Sequence, residues 1–312
     1  MRAALIRELG RPPEVADAAE PDGDVIVEVL AAPVNPLDIA VASGRLPAGH
    51  PPLPYVPGCE AVGRRRDSDE LVWVLGGGLG MQRDGAMAEL VAAPESSLFP
   101  APEEADPALA GALGIAGLAG WMPLAWRAPV READTVLVLG ATGTVGVVAV
   151  QAARLLGAGR VVAAGRNAEA LERAAELGAD ATVRLQGDLA KVLRDACGEN
   201  GPTLIVDPLW GEPGEAAVEI AARGARIVQL GQAAGASATL TSAAIRFKGL
   251  ELLGYSNFNV PHEVLEGEYQ RLVRLATAGD IRVDVERVPL EGVADAWRRQ
   301  IEGAHAKLVV VP

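Results

Sequence analysis

Gly140-Ala141-Thr142-Gly143-Thr144-Val145-Gly146 is the stretch of this chain whose residue types and spacing state a chemistry. It follows an apolar run, Asp134 to Leu139, and opens a helical pattern. In such a strand-to-helix turn the first glycine permits a tight reversal and the second lets backbone N–H groups approach a pyrophosphate. The third lets the helix pack close to its strand. Gly140, Thr142, Gly143, Thr144, Val145 and Gly146 are therefore the candidate phosphate cradle, although one extra residue separates the first two glycines relative to G-x-G-x-x-G. A second apolar strand, Arg160 to Ala164, ends in Gly165-Arg166-Asn167. That is about 20 residues past the turn, where an NAD site places Asp or Glu on the ribose 2′-hydroxyl. No carboxylate stands there. Glycine leaves room for a 2′-phosphate and Arg166 offers a planar cationic fork, so the expected cofactor is NADP(H) rather than NAD(H).

The elements that must position these residues alternate strand and helix from about residue 134 to 254, the pattern of a doubly wound parallel sheet in an α/β protein. Expected strands are Thr135–Leu139, Val161–Ala164, Ala181–Arg184, Leu204–Asp207, Arg226–Leu230 and Leu250–Gly254. Helices are expected over Thr144–Leu156, Ala168–Leu177, Asp188–Ala196 and Gly214–Ala222, with Gly157, Gly178, Gly198 and Gly224 at their ends. Open sheets bind ligands at the carboxyl ends of their strands, which makes Leu209, Trp210, Gly231 and Asn257 further cofactor candidates. Residues 1 to about 116 read instead as short strands between proline- and glycine-rich turns, with an irregular loop at Pro47–Pro54. The last stretch predicts a helix near Glu263–Ala278, a strand at Val283–Val288, a helix near Val293–Glu302 and a closing strand Lys307–Val311. The β-pieces at the two ends are expected to share one domain with the nucleotide unit inserted between them.

A net charge of -13 on 312 residues argues against nucleic acid, since phosphate backbones would be repelled. The one basic cluster, Arg64-Arg65-Arg66, reads as a solvated strand end or as a grip on a substrate phosphate. Cys59 and Cys197 have no CxxC spacing, so neither a disulfide framework nor a zinc knuckle is expected. Two uncharged stretches, Pro107–Trp126 and Thr135–Ala153, are long enough to raise a membrane question, but glycines interrupt both, and buried elements explain them better. The expectation is a cytoplasmic protein without a membrane partner.

Val34-Asn35-Pro36-Leu37-Asp38, Pro57-Gly58-Cys59-Glu60-Ala61-Val62-Gly63, Asp84-Gly85-Ala86-Met87-Ala88-Glu89 and Gly117-Leu118-Ala119-Gly120-Trp121 occur in that order. The glycine turn, Val206-Asp207 and Lys307-Leu308-Val309-Val310 follow them. In this succession the chain resembles, over nearly its whole length, the zinc-free quinone oxidoreductase branch (ζ-crystallin-like) of the medium-chain dehydrogenase/reductase superfamily. The resemblance implies a GroES-like β-rich catalytic domain (1–116), a Rossmann NADP(H)-binding domain (117–254) and a C-terminal segment (255–312) returning to the first. It also implies NADPH held in a cleft, and a homodimer, for which the apolar strand Leu250–Leu253 could pair edge to edge. In zinc-dependent relatives the cysteine ligand falls at Asn35 and the histidine ligand at Cys59, and a four-cysteine lobe is present. Here Cys59 and Glu60 leave fewer than the three ligands a catalytic zinc needs, so no metal is expected. The family's Gly-x-Tyr-Pro segment is Gly44-Arg45-Leu46-Pro47, and its Leu-Thr-Ala threonine is Ala119.

An enone or quinone is already electrophilic and accepts hydride at carbon without metal, which sets the expected reaction. Asn35 is a candidate donor to a substrate carbonyl or to the nicotinamide ribose, and alternatively a turn residue before Pro36. Asp38 orders that loop or receives a proton; Tyr55 donates a hydrogen bond or packs on its prolines. Cys59 reads as an inert pocket residue, and His50, His262 and His305 as loop or surface polarity. The leading reading is an NADPH-dependent reductase of quinones or α,β-unsaturated carbonyls. Two others remain: an enoyl reductase acting on a carrier-bound chain, with Arg45 and Arg64–Arg66 on its phosphate, and a silent NADPH-binding protein.

Overall fold

The computed structural model describes residues 1–46, 48–304 and 306–312; Pro47 and His305 lie outside the described residues. The chain divides into two compact units, one of Met1–Ala116 with Pro261–Pro312 and one of Gly117–Val260.

In the second unit, six strands lie in the order Ala181–Arg184, Arg160–Gly165, Thr135–Leu139, Leu204–Asp207, Arg226–Gln229 and Glu251–Gly254, all parallel. All four residues of Leu204–Asp207 and the run Val136–Leu139 are fully buried, as strands covered on both faces must be. Sequence order reverses beside Thr135–Leu139, which pairs with Arg160–Gly165 on one side and Leu204–Asp207 on the other. That is the switch point where such sheets bind ligands. Helices Thr144–Leu155, Ala168–Glu176, Leu189–Cys197 and Gly211–Ile220 connect the strands. Asp134 stands just before the strand, which begins at Thr135 as expected, and its side chain is engaged elsewhere. It caps the Arg131 N–H at 2.7 Å and pairs with the Arg226 guanidinium at 2.6 Å, both side chains almost fully buried.

In the first unit the sheet runs Val285–Pro289, Lys307–Val311, Val25–Pro33, Glu60–Arg65, Leu71–Leu75 and Leu98–Pro100, with Leu90–Ala93 also on Val25–Pro33. The closing strand joins the N-terminal half of the chain in the register Val309↔Pro33 and Val310↔Ala32. Its core gathers Val27, Val29, Val74, Met87, Trp297 and Leu308.

The expected buried apolar run is helical over Pro107–Arg127, long and apolar enough to cross a membrane, yet 78% of its most apolar window is buried within the protein. It breaks at Gly114, where any Cβ would lie 2.0 Å from Glu60 Oε2. The bare backbone there lets the Ile115 N–H donate to that oxygen at 2.7 Å.

Candidate functional site

The glycine turn occupies the carboxyl end of Thr135–Leu139. Gly140 has φ +63, a left-handed backbone that a side chain disfavours. The Ala141 N–H donates to Ala164 O at 2.9 Å and ties the turn to the neighbouring strand. A Cβ on Gly146 would meet Gly140 O at 2.3 Å, so the helix packs directly on the turn. Gly143, by contrast, has no atom nearer its absent Cβ than Gly140 O at 3.9 Å. Its exposed side and the first-turn N–H groups of Thr144, Val145 and Gly146 form an open cradle, and helix-start N–H groups with the helix dipole favour an anion.

Gly165 ends the adjacent strand in contact with this turn, since a Cβ there would lie 2.7 Å from Thr142 Cγ2. Arg166 is exposed, and Asn167 caps helix Ala168–Glu176 by accepting the Ala170 N–H at 3.0 Å. On the other side of the turn Leu209 packs against Gly140, 3.1 Å from where its Cβ would be. Its loop is held by Asp207, whose Oδ1 accepts the N–H groups of Leu209 and Trp210 at 2.8 Å each. Trp210 has φ 56, an unfavourable backbone for a bulky residue that the Asp207 bonds help hold. Burial pushes the Asp207 carboxyl up, opposed by these two backbone bonds. Gly231 backs onto Pro208 O, and Asn257 accepts from the Tyr255 hydroxyl at 2.5 Å.

The first unit holds a second polar cluster, made of Asn35, Asp38, Cys59, Glu60, Trp73 and Lys307. All are buried. Asn35 caps helix Pro36–Ala42: its N–H donates to Asp38 Oδ2 at 2.7 Å, while Asp38 Oδ1 accepts the Cys59 N–H at 2.8 Å. The Asn35 amide donates to Glu60 Oε1 at 2.8 Å, and its oxygen accepts the Lys307 ammonium at 2.6 Å. Lys307 also donates to Val34 O at 2.9 Å, and Glu60 Oε2 accepts the Trp73 indole N–H at 2.8 Å. Burial raises the carboxyls of Asp38 and Glu60, with the Lys307 charge pulling the other way, and burial lowers Lys307 against those two carboxylates. Cys59 is pushed up by burial and then by Asp38, which leaves a protonated, inert thiol. Beside these groups Tyr55 is buried with no hydrogen-bond partner for its hydroxyl among the described residues; burial raises its pKa, and Cys59 and Asp38 add to the shift.

A family model described as zinc-binding dehydrogenase matches residues 144–277. Quinone oxidoreductase-like protein 2 of Mus musculus is 29% identical over 81% of this chain and 74% of its own length. Among solved structures, an NAD-dependent alcohol dehydrogenase superposes with a TM-score of 0.86 at 29% identity, covering 100% of both chains. The Thermus thermophilus quinone oxidoreductase, solved also with NADPH, gives 0.81 at 27% identity, again over 100% of both chains. The chain belongs to the quinone oxidoreductase branch of the medium-chain dehydrogenase/reductase superfamily.

As an oxidoreductase of this superfamily, with its NAD(P)-binding fold, the chain brings Gly140, Thr142, Gly143, Thr144, Val145, Gly146, Gly165, Arg166, Asn167 and Leu209 together at one edge of the parallel sheet. Three expectations left two readings each, and the contacts found here match the structural one. The Asn35 amide donates to Glu60 Oε1 at 2.8 Å and to Pro33 O at 3.5 Å while its oxygen accepts from Lys307, contacts that suit a residue ordering the turn before Pro36. Asp38 is a helix cap. Arg64, Arg65 and Arg66 face Glu103, Asp67 with Glu95, and Glu28, which leaves no unopposed phosphate grip. Of the histidines, His50 contacts its neighbour Pro51 O and His262 stacks on Phe99 with centroids 4.2 Å apart. His305 is outside the described residues. Sequence reasoning missed Lys307 and Trp73 in the buried cluster. A lysine opening the apolar strand Lys307–Val311 was the available signal, because buried cations are kept only with partners.

Proposed function

We propose that this chain is a zinc-independent, NADPH-dependent reductase of quinones or α,β-unsaturated carbonyls. The observation that carries the reading is the open Gly143 cradle next to a strand end, Gly165-Arg166, that bears a guanidinium and no carboxylate. These residues fit a 2′-phosphorylated dinucleotide: the helix N–H groups take the pyrophosphate, Gly165 lets its strand end pack close on the turn, and the exposed Arg166 meets the extra charge. When bound, NADPH would supply a hydride to the electrophilic carbon of the acceptor. The chain's own contribution is orientation and an oxygen-directed donor, for which the unpartnered Tyr55 hydroxyl is the candidate.

A zinc ion does not fit the cluster around Asn35. The available groups are an amide bonded at both ends, a thiol on Asp38, and a Glu60 carboxylate that already accepts N–H bonds, with the Lys307 ammonium among them. No trio of His, Cys, Asp or Glu able to hold a metal exists among the described residues. No step is assigned to a metal.

Further parts of the proposal are a cytoplasmic setting, which two buried free thiols suit, and a homodimer. The edge strand Glu251–Gly254 and its surroundings expose Leu252, Phe247 and Phe258, apolar surface of the kind that strand pairing between copies covers. A monomeric mass in solution would contradict the dimer. The reading as a whole is tested by NADPH oxidation against a panel of quinones, free enones and a carrier-bound enoyl chain. Turnover of quinones or free enones is expected. Silence toward all three with intact NADPH binding would reject the reductase, and turnover of the carrier-bound chain alone would move it to biosynthesis.

A further inference from the structure

The strand Ala181–Arg184 ends level with the strand Arg160–Gly165, in the register Arg184↔Gly165. Ala181 and Val183 pack on the core of the second unit, so strand alternation turns Thr182 and Arg184 outward, where both are exposed. The two strand ends are locked further on: the Leu185 N–H donates to Gly165 O at 2.7 Å. Arg184 then reaches across, and its Nε donates to Arg166 O at 3.1 Å. That bond uses one edge of the guanidinium and fixes its plane. The Nη1 and Nη2 nitrogens have no partner among the described residues, and no carboxylate lies within ion-pair distance of either Arg166 or Arg184. On a chain with net charge -13, two exposed arginines at adjacent strand ends that face no acid among the described residues suit an anion.

Resting on the NADPH reading above, we propose that Arg184 is a specificity-determining residue which, with Arg166, grips the 2′-phosphate of the dinucleotide. Arg166 comes from the strand end that carries the ribose position, and Arg184 from the strand beyond it, so the phosphate is approached from two backbones. Anchoring Nε on the Arg166 carbonyl matters because it presents the Nη pair ready-oriented. An arginine fork so held loses less freedom on binding than a free one. Gly165, buried between them, has no side chain to push Thr142 away, and that close contact joins the grip to the phosphate turn. Glu169, in the first turn of the following helix, is the nearest acid in sequence and makes no ion pair with either arginine.

The test is isothermal titration of the whole chain with 2′,5′-ADP and with 5′-ADP, which differ only in the phosphate at issue and require no turnover. Wild type should prefer 2′,5′-ADP. Arg184→Ala should weaken 2′,5′-ADP by about tenfold or more while leaving 5′-ADP within about twofold, as loss of a charge-assisted contact implies. Arg184→Lys, which keeps the charge but loses the Nε anchor, should fall between the two. Both positions are exposed, so an unchanged melting temperature is expected and confirms that folding is not what is read. If Arg166→Ala removes the preference and Arg184→Ala does not, the role of Arg184 is overturned and the NADPH reading stands. If wild type shows no preference at all, the NADPH reading itself falls and takes this proposal with it.

Discussion

The phosphate turn of the dinucleotide unit leaves its polar groups waiting: first-turn N–H groups at Thr144 to Gly146, a bare Gly143, and guanidinia at Arg166 and Arg184 without acids. The cluster around Asn35 in the β-rich unit does the opposite. Lys307, Asn35, Glu60, Trp73 and Asp38 satisfy one another, and every distance is that of a formed bond. A ligand site and a structural knot can thus be built from equally polar residues. What separates them is whether the hydrogen-bonding capacity is spent. In the knot the unspent group is Tyr55, and that residue alone makes the cluster a candidate for chemistry.

If the Asn35 cluster is a knot, removing its cation should be the most damaging change in either region. Lys307→Met removes the ammonium that Val34 O and Asn35 Oδ1 accept and the positive charge acting on buried Glu60 and Asp38, a loss of about 3–5 kcal/mol if it weighs as much as breaking a buried pair. Denaturant unfolding should show it, and adding Glu60→Gln to Lys307→Met should recover part of the loss, since two neutral groups bury more cheaply than one stranded charge. A Lys307→Met variant as stable as wild type would mean that the cluster is not a knot.

Within the turn the two glycines should separate packing from binding. Gly146→Ala drives a methyl to 2.3 Å from Gly140 O and should destabilise by about 1–3 kcal/mol, as overpacking does. Gly143→Ala meets nothing closer than 3.9 Å, so its melting point should hardly move. It narrows the open side of the cradle, and its effect should instead appear as weaker dinucleotide binding, by roughly tenfold or about 1.4 kcal/mol. Equal effects of the two substitutions on both readouts would erase the distinction between a packing glycine and a ligand glycine.

The two regions also differ in how far the sequence disclosed them. The turn is local: Gly140 to Gly146 are consecutive, strand and helix patterns flank them, and the roles of the three glycines follow from backbone geometry alone. The knot is not. Asn35 declares an amide, but its partners lie at Glu60 and Lys307, and no spacing rule joins residues that far apart. The same holds for Arg184, which is invisible as a partner of Arg166 until parallel pairing sets their strand ends side by side. The sequence shows Trp210 only by its place after a strand, whereas its backbone conformation, held by Asp207, is a property of the folded loop. Local grammar was readable and long-range pairing was not, because only folding spends the hydrogen bonds.

Tyr55→Phe produces the smallest change in stability and the sharpest test of the comparison. A hydroxyl that is buried and unpartnered contributes nothing to the fold, so its removal should leave stability within about 1 kcal/mol of wild type or raise it slightly. If that hydroxyl serves a substrate oxygen, kcat should fall by about tenfold to a hundredfold with KM changed less, as expected when a donor is used most strongly on the developing negative charge. Such a split cannot come from a packing role, which would move the melting temperature and leave the rate. Burial already holds the phenol protonated, with the Cys59 and Asp38 side chains adding to the shift, so through the neutral range it stays a donor and the Tyr55 contribution to kcat should not vary with pH. Unchanged turnover together with unchanged stability would assign Tyr55 to the knot as one more buried ring and leave hydride acceptance to positioning alone.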